Sequence, residues 1–409
     1  MLINQGVLPI TAQGNARLAV IGPTADDPLA LLAGYSFPVH LINAGEHAGA
    51  PIQTPLHALR ARFGNENIVY ARGCDIISVR HAGAPVYPGD VDMQAAIDQQ
   101  RATPLSTDDS QIAAAVAAAR EADIAIVFVG DLAGLFQSGT VGEGSDTDSL
   151  DLPGIQQVLL AAVVATGTPT VVVLTGGRPY NLGGLEDSLA AEIMAFAPRE
   201  GGAETLVDLL SGSANFSGRL PLSVPKSASA VPYTYNHSLK SAGTPIAYHF
   251  GSRFPFGFGQ SYTHFEYGAL QICNDEVAID DGTVEMRFEL RNAGRRAGTE
   301  VVQVYVRDKL ASVVRPVREP KAFSRVPLEA GELATVSVRI PVDMLNFTDA
   351  RGERIVELGE FELMIGSFSG DLYLAATVTV SGQHTRTLPV RWRMLSEVTF
   401  VVAGAPQVV

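Results

Sequence analysis

Two regimes of hydrophobic patterning divide the chain. Between Arg17 and about Pro225, short runs that are apolar at nearly every position alternate with longer mixed stretches. The runs are RLAVIGP, NIVYARG, IAIVFVG, TPTVVVLTG and EIMAFAP. A strand with one wet face alternates apolar and polar residues, whereas a strand covered on both faces does not. These runs therefore read as strands buried on both sides. The stretches TPLHALRARF, DDSQIAAAVAAAREAD, LPGIQQVLLAAVVATG and EGGAETLVDLLSG read as helices, some with Ser or Asp before the start and Gly after the end. The order βαβα predicts an α/β fold, an open and mostly parallel sheet with right-handed crossovers.

From Tyr262 to about Gly382 the period becomes two. VEMRFELRN, EVVQVYVRD, ATVSVRIPV and EFELMIGSF alternate apolar and polar residues, with turn-forming NAGRRAG and TDARGE between them. This predicts an all-β sandwich of about 100 residues. Residues 226–261 have neither period. They are rich in Gly, Pro and aromatics, too aromatic for a free linker, and read as an ordered connector. Tyr248, Phe250 and Phe256 are its expected glue. Residues 1–16 read as a linker. The tail, 383–409, holds the strand-like pieces LPVRWRM and VTFVVAG without an assigned place.

Composition narrows the function classes. With 46% hydrophobic and 18% charged residues, the 409-residue chain is globular and long enough for two or three domains. A net charge of −14 opposes nucleic acid and anionic membrane as partners. Cys74 and Cys273 are far apart and sit in no Cys/His cluster, so neither a metal nor another cofactor is expected. MLINQGVLPI lacks the basic start and apolar core of a signal peptide, which leaves a cytoplasmic location as the expectation for this sequence.

One loop stands out. After IAIVFVG the chain runs from Asp131 to about Leu152 through glycines and the carboxylates Glu143, Asp146, Asp148 and Asp151. Strand-to-helix loops of this fold usually take about 2–6 residues, and the edge where this one leaves is where open parallel sheets bind ligands. On spacing alone a solvated acidic loop is the commoner meaning. A calcium loop fits poorly, because Leu150 holds the next ligand position after Asp146 and Asp148, and the required Gly and late Glu are missing. TGGRP, 175–179, also follows a strand and reads as a tight turn that lets Arg178 pair with loop carboxylates. There is no GxGxxG or P-loop to support a flavodoxin-like nucleotide binder.

Several separated motifs, in order, resemble glycoside hydrolase family 3, the β-glucosidase and β-xylosidase family. They are MLINQGVLPI, GEGSDTDSLDLPG, EGGAETLVDLLSGSANFSGRLPLSVP, FPFGFGQSYTHFEY, AGTEVVQVYVRD and RPVREPKAFSRV. The resemblance implies the family's C-terminal α/β-sandwich domain followed by its fibronectin-III-like domain. It also implies that Glu143, in GEGSD, is the general acid/base, with Asp146 and Asp148 as fallbacks. Thr147 stands where many members have Arg. A retaining glycosidase pairs such an acid with a carboxylate nucleophile about 5–5.5 Å away.

In the family that nucleophile is an Asp on a preceding (β/α)8 barrel, a fold of about 250 residues. This chain has no such stretch. The expectation is therefore the C-terminal part of a retaining β-glycosidase, acting on a β-linked oligosaccharide or glycoside with a barrel domain or subunit as partner, and inactive alone. The alternative is a non-catalytic carbohydrate-binding or interaction module.

Overall fold

The computed structural model describes residues 1–11, 16–32, 35–36, 52–79, 104–134, 139–231, 233–238 and 251–403. They form two compact units, Met1–Ala214 and Asn215–Val409.

The first unit is built on a six-stranded sheet: β1 (Ile3–Asn4), β2 (Leu18–Ile21), β3 (Ile68–Ala71), β4 (Ile124–Gly130), β5 (Thr170–Thr175) and β6 (Ala191–Phe196). The order across the sheet is β1-β6-β5-β4-β2-β3. All neighbours are parallel except β1, which runs antiparallel to β6. Every residue of β2 and β5 is buried, as the unbroken apolar runs require. The crossover helices are α1 (Pro55–Phe63), α2 (Ile112–Arg120) and α3 (Gln156–Val164), and α4 (Gly202–Ser211) follows the last strand. Alanine dominates α2, a strong helix former with no side chain to order. Its Ala115 and Ala119 pack with Leu159, Leu160 and Val163 of α3 and with Val127 and Val172 of the sheet.

The order reverses between β2 and β4. From β2 the chain adds β3 on one side, then crosses to β4, β5 and β6 on the other. Loops leaving such a switch point diverge and open a crevice at the carboxyl edge. The long acidic loop leaves from β4, on one flank of this crevice.

Residues 1–11 do not behave as a free linker. Leu2, Leu8 and Ile10 are buried, Leu2 N donates to Glu192 O at 2.7 Å, and Ile10 N donates to Leu210 O at 2.8 Å. Their apolar side chains cover the β6 edge, so this stretch is the sheet's last strand and its continuation.

The second unit holds β7 (Val224–Pro225), β8 (Ser252–Phe254), β9 (Phe265–Ile272), β10 (Glu276–Ala278), β11 (Thr283–Asn292), β12 (Gly298–Asp308), β13 (Glu319–Leu328) and β14 (Leu333–Pro341). It continues with β15 (Phe347–Thr348), β16 (Arg354–Val356), β17 (Gly359–Phe368), β18 (Asp371–Ser381), β19 (Arg386–Thr387) and β20 (Glu397–Val402). A sheet β10-β18-β17-β12-β13 faces a sheet β20-β14-β11-β9. Their inward residues, among them Val284, Met286, Phe288, Val302, Val304, Val336, Leu363 and Ile365, form one core.

The connector packs onto this unit. Phe254 stacks on Phe258 at 5.1 Å, Phe258 meets Phe368 edge-on at 5.0 Å, and Tyr235 lies 4.7 Å from Phe256. Gln303 Nε2 donates to Gly257 O, and Arg219 Nη2 donates to both carboxylate oxygens of buried Glu300 at 2.9 Å while Nη1 donates to Gly259 O at 2.7 Å. Burial of β12 on both faces follows, with Tyr305 fully enclosed. Tyr248 and Phe250 lie outside the described residues.

The tail has a place. β20 pairs antiparallel with β14 and completes the four-stranded sheet. What ties the tail down is Asp343, only 3% exposed. Its carboxylate accepts from Arg386 Nη1 at 2.7 Å, from the Arg393 backbone N–H at 2.9 Å and from Arg393 Nη2 at 3.2 Å. Burial alone would raise its pKa, but the hydrogen bonds from Arg393 and Arg386 outweigh it and hold the carboxyl at about 2. A folded pKa below the unfolded one gives stability that is present above the unfolded value, about 4, and lost as pH falls through the folded value. We predict that Asp343→Asn removes on the order of 2 kcal/mol at neutral pH and flattens the fall in melting temperature between about pH 4 and 2. Hydrogen exchange at Glu397–Val402 should accelerate in this variant. Unchanged exchange there, with an unchanged acid limb, would show that Asp343 does not hold the tail.

Candidate active-site loop

The loop 131–155 is closed at its neck. Gly130 ends β4 and Gln156 opens α3, and the Gln156 side chain, fully buried, clasps Gly130. Gly130 N donates to Gln156 Oε1 at 2.8 Å, and Gln156 Nε2 donates to Gly130 O at 2.9 Å and to Pro153 O at 2.8 Å. Gly130 has φ +144°, and a Cβ there would sit 1.7 Å from Thr175 O, so the exit admits only glycine.

Beyond the neck the loop folds on Asp131, which is 2% exposed. Thr140 Oγ1 donates to Asp131 Oδ1 at 2.9 Å and accepts from Leu132 N at the same distance. Thr140 N donates to Leu132 O at 2.8 Å and Gly134 N to Val141 O at 3.0 Å, so the two limbs run side by side. Leu132 and Ala133 pack on Leu29, Leu32, Ile76 and Ile77, which belong to the exits of β2 and β3.

Arg178, from the turn after β5, enters this frame. Nη1 donates to Asp131 Oδ1 at 3.1 Å and to Thr140 O at 2.7 Å, and Nη2 donates to Ser145 O at 2.5 Å. The expected partnership with a loop carboxylate is thus with Asp131, not with Glu143, Asp146 or Asp148. Burial pushes the Asp131 pKa up, against the opposing pull of Tyr180, Arg178 and Thr140.

Glu143 lies between the two carbonyls that Arg178 holds, and it is exposed. Gly142 and Gly144 flank it at φ +126° and +77°, and Ser145 N donates to Gly142 O at 3.1 Å, a tight turn at the loop apex. Tyr35, from the exit of β2, donates its hydroxyl to Glu143 Oε2 at 3.0 Å. That hydrogen bond, then burial and the carboxylate's charge, raises the Tyr35 pKa. Asp146 and Asp148 are also exposed. Asp146 lines a cavity of about 530 Å³ with Asp151, Arg178 and Tyr180, whereas neither Glu143 nor Asp148 does. Among the described residues no three His, Cys, Asp or Glu side chains gather as a cation site, and no helix is long and apolar enough to cross a membrane.

Sequence reasoning placed the loop and its carboxylates but missed Tyr35, Asp131 and Gln156. Tyr35 meets Glu143 across 108 positions and Gln156 meets Gly130 across 26. No periodicity or spacing signals such contacts.

A switch-point α/β sheet with a carboxylate-bearing loop, followed by a β-sandwich, defines the class. Residues 1–262 match the glycosyl hydrolase family 3 C-terminal domain and residues 300–369 a fibronectin type III-like domain. The chain belongs to glycoside hydrolase family 3 through this C-terminal domain. It is 31% identical over 373 residues to a β-xylosidase of Formosa agariphila, covering 90% of this chain and 46% of that protein. It is 32% identical over 377 residues to the periplasmic β-glucosidase of Salmonella typhimurium, covering 88% and 45%. The chain thus spans about half the length of these relatives. Among solved structures, a β-glucosidase of saponin metabolism from intestinal bacteria superposes with a TM-score of 0.77 at 32% identity, over 93% of this chain and 52% of that one. The Listeria innocua β-glucosidase in complex with glucose gives 0.73 at 25% identity, over 93% and 48%.

The neck can be tested directly. Gln156→Leu keeps the volume but removes three hydrogen bonds and leaves the Gly130 amide and carbonyl buried without partners. We expect a loss of about 2–4 kcal/mol in urea unfolding, with proteolytic cutting of 131–155 in the folded state. A loss under about 0.5 kcal/mol with the loop still resistant would mean that water or backbone replaces the clasp.

Proposed function

We propose that this chain supplies the general acid/base carboxylate, Glu143, of a retaining β-glycosidase whose sugar and nucleophile sit on a (β/α)8 barrel outside these 409 residues. One observation carries the reading. Neck and shoulders of the loop are fixed to the sheet by buried hydrogen bonds, while the apex presents a single held carboxylate to its surroundings. An acid that must meet a leaving oxygen supplied from elsewhere needs that combination of a rigid stem and an accessible tip. Asp146 and Asp148 are the fallbacks, but among the described residues neither carboxylate has a hydrogen-bond partner to orient it.

In the first step Glu143, protonated, gives its proton to the glycosidic oxygen as the barrel's carboxylate attacks the anomeric carbon. The aglycone leaves and a glycosyl-enzyme ester remains. The Glu143 carboxylate then takes a proton from water as that water attacks the ester, releasing the sugar with retained configuration. The Tyr35 hydroxyl donates to Glu143 Oε2 and so orients the carboxyl. β-Linked glucosides and xylosides are the substrate class that the relatives' names support.

By itself the 409-residue chain should not hydrolyse aryl β-glycosides, since general acid/base assistance alone is worth only about 10²–10⁴-fold. Turnover by the purified chain that Glu143→Ala removes would place both carboxylates here.

Mixed with or fused to a family 3 barrel, the chain should become active. Glu143→Ala should then spare the glycosylation step for good leaving groups and slow it for poor ones. Deglycosylation should stall for both, and azide, which needs no base, should restore turnover as a glycosyl azide of retained configuration. If Asp146→Ala or Asp148→Ala shows that pattern instead, the role passes to that aspartate. If none does while the chain still binds saccharide, the non-catalytic module is the better account.

A further inference from the structure

We infer that Arg178 is a positioning residue for Glu143: its forked guanidinium fixes the two shoulders of the loop apex and so sets where the Glu143 carboxyl can reach. The inference rests on the proposed role of Glu143. Three contacts support it. Nη1 holds Thr140 O at 2.7 Å on one side of Glu143, and Nη2 holds Ser145 O at 2.5 Å on the other. Nη1 also meets Asp131 Oδ1 at 3.1 Å, so the fork itself is seated on a buried anion at the end of β4. The apex between those carbonyls contains Gly142 and Gly144, both at positive φ, and could swing freely without a tie.

A planar guanidinium can serve two divergent carbonyls and a carboxylate at once, because its N–H groups point outward in one plane. A lysine ammonium is a compact point charge and cannot span them. Lysine at 178 would still neutralise Asp131, so the fold should persist while the shoulders are released. The side chain is mostly buried, with 20% exposed, so the contacts are shielded from water. Arg178 touches no reacting atom in this arrangement. Its effect passes through the Glu143 backbone, where a misplacement of about 1 Å is enough to cost about 10²-fold in rate.

The test uses Arg178→Lys in the full chain, measured two ways. First, hydrogen exchange of the 140–146 amides in the chain alone should rise at least about 10-fold, while melting temperature and the exchange of β4 and β5 stay near wild type. Second, with a family 3 barrel supplied, the variant should behave as a partial Glu143→Ala. Glycosylation by aryl glycosides with poor leaving groups should slow about 10–100-fold, that with good ones less than about 3-fold, with partial azide rescue and KM little changed. A merely structural role would lower all substrates alike. Should Arg178→Lys fail to fold, Asp131→Asn loosens the seat of the fork and should give the same pattern at about 3–10-fold. Unchanged exchange at the apex overturns the inference. So does faster exchange with a wild-type leaving-group profile. If Glu143→Ala itself lacks the acid/base signature, the proposed function falls and the positioning role with it, while the exchange data still report whether the clamp exists.

Discussion

The Asp131–Arg178 pair is the constraint on which the site depends. A carboxylate that is 2% exposed at the end of a central strand is costly unless it is paired and hydrogen-bonded. Here the partner comes from the neighbouring strand's exit, and pairing at Asp131 Oδ1 brings the guanidinium under the loop. The guanidinium N–H groups then also meet the loop carbonyls of Thr140 and Ser145 and the Tyr180 hydroxyl. The shape of the acidic loop is thus a consequence of neutralising Asp131. Gly176, at φ +138°, keeps the approach open, since a Cβ there would lie 2.4 Å from Asp131 Oδ2.

Topology explains why this happens at β4. Exits of β2 and β4 diverge where the strand order reverses, and both contribute to the rim: Tyr35 from one, Glu143 from the other. Nucleotide-binding relatives of this architecture place a helix N-terminus and glycine-rich turn at the same point, which favours an anion. Here the exit of β2 leads into a short 3-10 helix, Pro28–Leu31, whose first free amide, on Leu29, is already taken by Asp27 Oδ1 at 3.0 Å. On the β4 flank the loop carries Glu143, Asp146, Asp148 and Asp151 instead.

How much of this the sequence reveals depends on the range of the interaction. The strands β2 to β6 are legible because burial on both faces erases the polar alternation within a single short segment, and the four helices from the longer mixed stretches between and after them. Alternating β11, β12, β14 and β17 are legible for the converse reason. The acidic loop is legible from its length and its GEGSD segment. By contrast β1, the place of β20 and the carbonyls that Arg178 grips are not, because each is defined by a partner far along the chain. Arg178 meets Thr140 across 38 positions, and Asp343 meets Arg393 across 50. Edge strands of two to six residues carry too few positions for a period to show. The connector's aromatics are visible in the sequence, but what they pack on is not. Phe254, Phe256 and Phe258 serve the β-sandwich unit.

The distribution of order within the loop bears on mechanism. A carboxyl that must act first as acid and then as base has to keep its place through a change of its own charge and a change of its partner, from glycosidic oxygen to water. Anchoring such a group through its own carboxylate would bias one protonation state strongly. This loop anchors it through the backbone instead: Gln156 closes the neck, Arg178 grips the shoulders, and the carboxylate itself has one hydrogen bond, from an exposed tyrosine. Backbone restraint is indifferent to side-chain charge, which is what the role proposed for Glu143 requires. Placing the strong electrostatics at Asp131, several residues back from the apex and out of water, separates the task of holding the loop from the proton transfer proposed for Glu143.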